Sequence, residues 1–284
     1  MTGLAEILAA IGRRPEELTP LAGGVANHAY LLGADLVLRV PRSESFAADL
    51  RKEAAVIPIV RAAGVKTADL VEYAEQPAPY LITTRLPGTE TDAPAADQVG
   101  RELAKLHTVT AAPPEVPRDD LTDPHATVDG LARDGWIGAA DATWLGEWFT
   151  RLAARVPAAP PTVLVHGDVA PQNLLSTPDG YLTGLIDWGD AALADPAVDF
   201  AKLPFASVPA ALAGYREAGA PPGDWEPRIL WHRLLWALGR TRDPRPQPSA
   251  RHWSAPPAAR LLDLLHFFTT DPPPPWPSLP PPNW

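Results

Sequence analysis

The spacing of apolar residues changes once along this chain, and that change limits the folds open to it. Up to Leu86, most apolar residues lie in short runs separated by turn residues, whereas from about Pro87 onward they recur at helical spacing. One strand-rich stretch, residues 162–188, interrupts the helical part. A strand-rich unit followed by a helix-rich unit predicts an α+β protein of two lobes, with the boundary near Gly88.

The first lobe is predicted to be a small antiparallel sheet of five strands with one long helix inserted. The strand-like runs are separated by turn residues at hairpin spacing. They cover residues 18–22, 29–32, 36–40, 69–73 and 80–86. A short helix capped by Thr2 should precede the sheet over residues 3–11. The long helix should begin near Ser43, and Pro58 should kink or end it because proline lacks a backbone donor.

The second lobe is predicted to be larger and mainly helical. Six segments show helical spacing of apolar residues, namely residues 95–107, 141–156, 196–207, 210–218, 225–240 and 258–268. We therefore divide the chain into residues 1–86, residues 87–270 and a proline-rich tail at residues 271–284. The tail should be extended or disordered, either without a specific role or as a docking peptide for an aromatic groove. Alternatively, Trp276 and Trp284 could fold back onto the body.

Composition excludes several functional classes. The 284 residues include 34 acidic and 24 basic side chains, a net charge of -10, which disfavours nucleic acid as a partner. No cysteine is present, so disulfides, thiolate metal sites and a thiol nucleophile are excluded.

No segment approaches about 18 consecutive apolar residues, and Arg13 and Arg14 follow the N-terminal apolar run rather than precede it. We expect no membrane span, no signal peptide, a cytoplasmic location, and a monomer or weak dimer.

The strand-rich stretch within the second lobe carries a set of polar residues suited to phosphoryl transfer. An apolar strand, Val163–Val165, leads into His166, Gly167 and Asp168, and Asn173 follows. The next hairpin ends at Asp187, so Asp168, Asn173 and Asp187 should meet at the same end of neighbouring strands. Phosphoryl transfer needs a carboxylate at the attacking hydroxyl, and an amide oxygen and second carboxylate that hold Mg²⁺. This order and spacing match the catalytic loop and metal-binding element of protein kinases.

HGDxxxxN followed by IDWGD and DPAVD resembles the aminoglycoside phosphotransferase and choline kinase superfamily. The resemblance implies a bilobal, protein-kinase-like fold in which Asp168 is the catalytic base. It implies that Asn173 and Asp187 are Mg²⁺ ligands. It also implies that Asp199 braces the catalytic loop and that His166 orients this loop by hydrogen bonding.

A glycine pair in the first lobe is a candidate phosphate-covering loop. Gly23 and Gly24 lie between two predicted strands, shortly before Asn27. Glycine lets the backbone approach phosphate oxygens and offer N–H donors to them. A plain hairpin turn is the alternative interpretation of the same residues.

A basic residue on the third strand and an acidic residue on the long helix are the other candidates in the first lobe. Arg39 is flanked by apolar residues and needs an anion, so we predict that it binds nucleotide phosphate. Glu53 lies on the apolar face of the helix and should pair with Arg39, whereas pairing with Lys52 or Arg51 at the surface is the alternative.

The strand that leads to the interlobe linker is expected to bind adenine. Backbone groups of Thr83 to Leu86 would form its hydrogen bonds, with Thr84 and Leu86 as the candidate residues. We therefore predict that residues 1–86 form the nucleotide-binding lobe. Residues 87–270 are predicted to form the catalytic and substrate-binding lobe.

The resemblance implies a kinase that uses ATP and Mg²⁺ to phosphorylate a hydroxyl of an aminoglycoside-like antibiotic or a related small metabolite. Acidic side chains of the helical lobe are candidate ligands for a cationic acceptor, namely Asp134, Glu147, Asp224 and Glu226. Two alternatives stay open. The acceptor could be a Ser or Thr hydroxyl of a peptide, or the protein could be a nucleotide-binding pseudokinase without activity.

Overall fold

The computed structural model describes residues 2–21, 24–90, 95–119, 122–157, 159–239, 241–242 and 257–282. No helix in these ranges is both long enough and apolar enough to cross a bilayer. One continuous apolar cluster reaches from the first lobe into the second, with Leu50 and Ile57 on one side and Leu103, Phe149 and Ile229 on the other. The two lobes therefore share one apolar core.

The first lobe contains the predicted five-stranded antiparallel sheet. Its elements are α1 (Thr2–Ala10), β1 (Leu18–Pro20), β2 (Asn27–Leu32), β3 (Leu36–Pro41), α2 (Ala47–Ala62), β4 (Leu70–Ala74) and β5 (Tyr80–Thr84). The strand order is β1-β2-β3-β5-β4, and every neighbouring pair is antiparallel. Because β3 lies at the centre, Arg39 is placed on the most enclosed strand of the sheet.

Helix α2 does not end at Pro58. It continues to Ala62, and the side chains of Leu50, Ile57 and Val60 are buried against the rest of the core. Proline removes one hydrogen bond within a helix, and the burial of residues on both sides of it compensates for that loss. Glu53 is buried on the same face as these apolar residues.

The second lobe is mainly helical and contains two small sheets. Its helices are α3 (Ala96–Leu106), α4 (Pro124–Arg133), α5 (Ala139–Ala153), α6 (Val208–Glu217), α7 (Trp225–Gly239) and α8 (Pro257–Thr269). Its strands are β6 (Thr89–Glu90), β7 (Val163–Val165), β8 (Leu174–Ser176), β9 (Leu182–Leu185) and β10 (Ala192–Ala194). Strands β6, β8 and β9 form one antiparallel sheet, and β7 pairs with β10. The residues that follow β7 and β9 include Asp168 and Asp187.

The predicted helix at residues 196–207 was wrong. The segment instead forms two short 3₁₀ turns, Pro196–Phe200 and Phe205–Ser207, with Pro204 directly before the second turn. Proline lacks an N–H and cannot continue a helix from the preceding residues. The bend that results brings both Asp199 and Lys202 to the loop that follows β7.

Helix α4 was missed, although its start carries a recognisable signal. The side chain of Asp123 accepts a hydrogen bond from the backbone N–H of His125 at 2.9 Å and caps the helix. Pro124 occupies the first helical position, where its missing donor costs nothing.

The proline-rich tail is not extended away from the protein, so that expectation was wrong up to residue 282. The indole of Trp276 is buried between Phe205 and Phe267, with ring centroids 5.3 and 5.6 Å away. The indole N–H of Trp144 donates to the carbonyl of Pro282 at 2.7 Å. An apolar anchor and satisfied backbone carbonyls hold the tail against the helical lobe. Trp284 lies outside the described residues.

Candidate active site

The loop after β7 is held by its own histidine. The backbone N–H of Asp168 donates to Nδ1 of His166 at 3.2 Å, so Nδ1 is an acceptor and Nε2 carries the proton. Nε2 then donates to the carbonyl of Ile186 at 3.0 Å. Both ring nitrogens are used within the protein and the side chain is fully buried, so His166 can orient the loop but cannot reach a substrate.

Asp199 holds the same loop from below. Its carboxylate accepts hydrogen bonds from the backbone N–H groups of His166, at 2.9 Å, and Gly167, at 2.8 Å. Nε2 of His107 lies 3.0 Å from the same carboxylate. Burial acts to raise the pKa of Asp199, but the hydrogen bonds and charge of His107 and the loop outweigh it and lower that pKa. An ionised, fully bonded carboxylate is therefore fixed beneath the loop.

Gly167 is required by the conformation of this loop. Its φ is 78°, in the left-handed region, and a Cβ there would lie 2.3 Å from the carbonyl oxygen of Asp190. Any side chain would push the loop away from the turn that follows β9.

The carboxylate of Asp168 lies at the floor of the cleft, with a quarter of its side chain exposed. The amide nitrogen of Asn173 donates to Oδ2 of Asp168 at 2.8 Å and to its backbone carbonyl at 2.9 Å. Nζ of Lys202 lies 2.9 Å from Oδ1. Asp168 is thus placed where a hydroxyl entering the cleft could meet it.

Asp187 follows the end of β9, next to Ile186, whose backbone N–H donates to the carbonyl of Asn173 at 3.0 Å. Its φ of 70° is positive, a conformation that aspartate adopts more readily than most residues and that clusters at functional sites. The next residue, Trp188, is fully buried, packs on the ring of His166 at 4.5 Å between centroids, and donates its indole N–H to Thr67 at 2.9 Å. The backbone turn is therefore anchored, and the Asp187 side chain stays 43% exposed in the cleft.

Arg39 joins the two lobes at this point. Its Nη1 donates to both carboxylate oxygens of Glu53, at 2.5 and 2.6 Å, and its Nη2 donates to Oδ1 of Asp187 at 2.7 Å. The expected Arg39–Glu53 contact is present, and the alternative partners of Glu53 lie elsewhere: Arg51 pairs with Glu75 and Lys52 lies nearest Asp49.

The electrostatics of this arginine bridge follow from its burial. Burial acts to lower the pKa of Arg39, but the charges of Glu53 and Asp187 raise it above the ordinary value. Burial raises the pKa of Glu53, an effect that the guanidinium opposes. Burial also acts to raise the pKa of Asp187, but the charge and hydrogen bond of Arg39 lower it. Asp187 is therefore ionised at neutral pH, as a cation ligand has to be.

The residues predicted to contact nucleotide are only partly described. Gly23 lies outside the described residues. Gly24 has open space where a Cβ would be, so neighbouring atoms do not require a glycine there. Asn27 is buried, and its Oδ1 has no hydrogen-bond partner among the described residues. An open backbone and a free buried acceptor fit a polar ligand at this end of β2.

The predicted adenine-binding strand has fewer free donors than expected. The N–H of Thr84 donates to the carbonyl of Asp69 at 2.9 Å, and the N–H of Arg85 donates to Asp35 at 2.7 Å. Leu86 is half-buried against Gly184 of β9. The prediction that this strand binds adenine therefore depends on the backbone of Leu86.

The two predicted cation ligands suit Mg²⁺ only if phosphate oxygens complete the site. The amide nitrogen of Asn173 is occupied by Asp168, which leaves its carbonyl oxygen for a cation. Among the described residues no group of three or more His, Cys, Asp and Glu side chains could hold a metal. Protein sites for Mg²⁺ commonly combine one or two carboxylates with substrate phosphates, and this pair of oxygen ligands fits that pattern.

Three of the four acidic side chains considered for a cationic acceptor are already paired with arginines. Asp134 lies 2.6 Å from Arg242, Asp224 lies 2.9 Å from Arg155, and the buried Glu226 lies 2.9 Å from Arg216. The fourth, Glu147, is exposed on α5. The three paired carboxylates have structural partners, so they are weak candidates for binding a charged ligand.

Sequence reasoning missed two residues of this arrangement, His107 and Lys202. His107 follows the last residue of α3 and reaches Asp199 from another helix. Lys202 reaches Asp168 only because the segment after Pro196 bends. Neither contact has a signal in the local sequence.

One known protein family matches most of the chain. The phosphotransferase enzyme family matches residues 17–231. Viomycin phosphotransferase from Streptomyces vinaceus is 29% identical over 150 residues, which are 44% of this chain. That match covers 49% of the relative, so the chain spans about half of its length.

Two solved structures share the fold. A GDP and kanamycin complex of an APH(2″) enzyme has a TM-score of 0.70 at 20% identity, covering 93% of this chain and 99% of that chain. Macrolide 2′-phosphotransferase MphH from Brachybacterium faecium has a TM-score of 0.65 at 24% identity, covering 92% of this chain and 98% of that chain. The predicted bilobal, protein-kinase-like α+β fold and the predicted resemblance are confirmed. Because the family matches more than half of the chain, the protein belongs to the phosphotransferase enzyme family.

Proposed function

We propose that this protein is a Mg²⁺-dependent kinase that transfers the γ-phosphoryl group of ATP to a hydroxyl of a small molecule. The observation that carries the proposal is that the loop of Asp168 and Asn173 adjoins the segment of Asp187, since the N–H of Ile186 donates to the carbonyl of Asn173 at 3.0 Å. The Arg39–Glu53 pair of the first lobe reaches the same place through its hydrogen bond to Asp187. Phosphoryl transfer depends mainly on positioning and charge neutralisation, and these side chains provide both.

Each residue has a defined part in the proposed reaction. Asp168 accepts the proton of the acceptor hydroxyl as that oxygen bonds to the γ-phosphorus. The bond from this phosphorus to the β,γ-bridging oxygen breaks, and ADP leaves. Asn173 and Asp187 would hold Mg²⁺, which neutralises charge on the phosphates when it is bound. Arg39, fixed by Glu53, would bind nucleotide phosphate with its guanidinium.

An aminoglycoside-like antibiotic or a related small metabolite is the proposed acceptor. The relatives' names support a small molecule, since they specify viomycin, aminoglycoside or macrolide as the phosphorylated compound. ATP is the proposed donor, and GTP has to be compared with it because similar structures are complexes of either nucleotide type. Our expectations of a cytoplasmic location, of a monomer or weak dimer, and of nucleotide binding by residues 1–86 belong to this proposal.

A panel assay tests the function. The purified protein is incubated with Mg²⁺, ATP or GTP, and kanamycin, viomycin, a macrolide, small amino alcohols and a Ser/Thr peptide, and products are identified by mass spectrometry. We expect a phosphate to be added to at least one small molecule, and a chelator to abolish the transfer. Asp168→Asn should lower kcat by about 10²- to 10⁴-fold, the usual contribution of a general base.

Asp129→Asn, on the exposed face of α4, is the matched control and should retain full activity. Phosphorylation of the peptide alone would favour the peptide-kinase alternative. Nucleotide binding by calorimetry without any transfer would favour the pseudokinase. Equal activity of wild type and Asp168→Asn would refute the assigned role of Asp168.

A further inference from the structure

Lys202 makes a direct contact with the carboxylate at the floor of the cleft. Its Nζ lies 2.9 Å from Oδ1 of Asp168, and the amide of Asn173 donates to Oδ2 at 2.8 Å. Each carboxylate oxygen therefore carries one donor from the protein. A carboxylate has about four lone-pair sites, so sites remain for an acceptor hydroxyl.

The backbone around Lys202 is fixed from helix α7. Nη1 of Arg233 donates to the carbonyls of Ala201 and Leu203, both at 3.0 Å, which are the residues on either side of Lys202. Arg233 is itself buried, with a side-chain exposure of 1%, and pairs with Asp263. The lysine thus extends from a rigid support and not from a mobile surface loop.

The segment of residues 199–202 contacts the catalytic loop at two places. Asp199 binds the backbone N–H groups of the loop, and Lys202, three residues later, binds the side chain that the loop presents. Nζ of Lys202 also lies 3.8 Å from the carboxylate of Asp190, so one ammonium neutralises charge near two carboxylates. Without it, Asp168 would keep one donor from the protein and lose this neighbouring positive charge.

We propose that Lys202 is a positioning residue for the phosphoryl transfer inferred above, and this inference rests on that function. Its ammonium holds the Asp168 carboxylate in the orientation that receives the acceptor's proton. Lys202 needs no contact with nucleotide for this role. Its removal should therefore lower kcat and leave the KM for ATP unchanged.

Substitution and rescue separate positioning from a general structural role. Lys202→Met should lower kcat by about 10- to 100-fold, because a small misplacement of a reacting group costs up to about that much. Lys202→Arg should recover part of this loss, since it restores a cation and donor. Methylammonium should raise the kcat of Lys202→Ala in a saturable way, whereas sodium chloride at the same ionic strength should not.

Lys105→Met is the matched control. The side chain of this lysine is 42% exposed on α3, its Nζ lies 2.7 Å from the buried Glu102 of the same helix, and its loss should leave kcat unchanged. Melting temperatures and calorimetry with Mg-ATP report whether each variant is folded and binds nucleotide. If Lys202→Met is poorly folded, the arginine variant and the amine rescue still decide the question.

The outcomes also distinguish this inference from the proposed function. Absence of phosphate transfer by the wild type overturns the proposed function and the role of Lys202 together. An active wild type with an unchanged kcat in Lys202→Met overturns the role of Lys202 alone. The role of Lys202 is also overturned if the folded Lys202→Met and Lys202→Ala variants have a lower kcat that is not recovered. Recovery is tested in the Lys202→Arg variant and by adding methylammonium to Lys202→Ala.

Discussion

At the residue scale, two buried aspartates organise the turn that follows β10. Asp199 satisfies the backbone donors of the catalytic loop. Asp195 caps the turn itself, since its Oδ1 accepts from the N–H of Ala197 at 2.8 Å, and it also pairs with Arg228 and lies 3.4 Å from His232. The position of the loop therefore depends on Asp195 although this residue lies outside the cleft.

The pairing of Asp195 predicts a pH-dependent stability. Burial acts to raise the pKa of Asp195, but the nearby His232 and the hydrogen-bonded guanidinium of Arg228 lower it below the ordinary value. A carboxylate with a lowered folded pKa stabilises the protein fully above its ordinary pKa, about 3.9. This stabilisation is lost as the pH falls through the folded pKa, because the unfolded state then binds more protons.

Asp195→Asn should lower the free energy of unfolding at pH 7 by about 3–5 kcal/mol, because it leaves Arg228 buried without its charged partner. The difference from wild type should shrink as the pH falls from about 5 to about 3. Urea unfolding followed by tryptophan fluorescence measures it. Asp129→Asn should differ little from wild type at any pH, and a constant deficit in Asp195→Asn would contradict the argument.

Much of the candidate site could be predicted from the sequence because its spacing is local. Asp168 and Asn173 belong to one loop, and Asp187 ends the adjacent hairpin, so strand pairing alone brings them together. Arg39 and Glu53 are buried polar residues on apolar faces, which requires them to be paired. Lys202 and His107 could not be found in this way, since their contacts depend on a bend and on a helix crossing that periodicity does not encode.

At the element scale, the crossing of α3 and α6 places His107 under the catalytic loop. The two helices meet at glycines: a Cβ on Gly100 would lie 1.8 Å from the carbonyl oxygen of Ala211, and one on Gly214 would lie 2.0 Å from that of Asp97. His107 then bonds Tyr215 of α6 at 2.9 Å and Asp199 at 3.0 Å. The close approach of the helices thus sets the position of His107 and, through it, of Asp199 beneath the loop.

Gly100→Ala should therefore destabilise the protein by about 1–3 kcal/mol or more, as overpacking of a tight core does. It should also lower kcat, because it displaces His107. Gly239→Ala is the matched control, since a Cβ there meets nothing within 4 Å and alanine favours a helix by up to about 1 kcal/mol. Thermal melting compares the two variants, and equal melting temperatures would show that the helices can separate without cost.

The elements themselves were predicted unevenly, for identifiable reasons. Long periodic segments such as α7 and the five strands of the first lobe were found, because burial on one face leaves a regular pattern. Apolar spacing predicted a helix over residues 196–207. Pro204 lacks the N–H needed to continue a helix through this segment, and two short turns form instead. Strands β6 and β10 are only two and three residues long, too short for any period to appear.

At the scale of the whole molecule, the lobes and the tail form one connected body. Arg39 links the sheet of the first lobe to Asp187 of the second, and the apolar cluster that contains Leu50 also contains Trp276 and Leu279 of the tail. Proline content alone suggested an extended tail. That prediction was wrong because the tail also carries an indole and a leucine that can be buried. Their burial outweighs the preference of prolines for an extended chain.

This connection predicts that Trp276 matters more for stability than its place in a proline-rich tail implies. Trp276→Ala should lower the free energy of unfolding by about 3–5 kcal/mol, the range for removing a buried aromatic side chain. Trp136→Ala is the matched control: this indole is 46% exposed, so its removal should cost far less. Urea unfolding compares the two variants.

Since Phe205 touches Trp276 and follows the segment that carries Lys202, the Trp276→Ala variant should also lose kinase activity at urea concentrations that leave wild type active. Coincident unfolding curves for wild type and Trp276→Ala would mean that the tail is not part of the folded body.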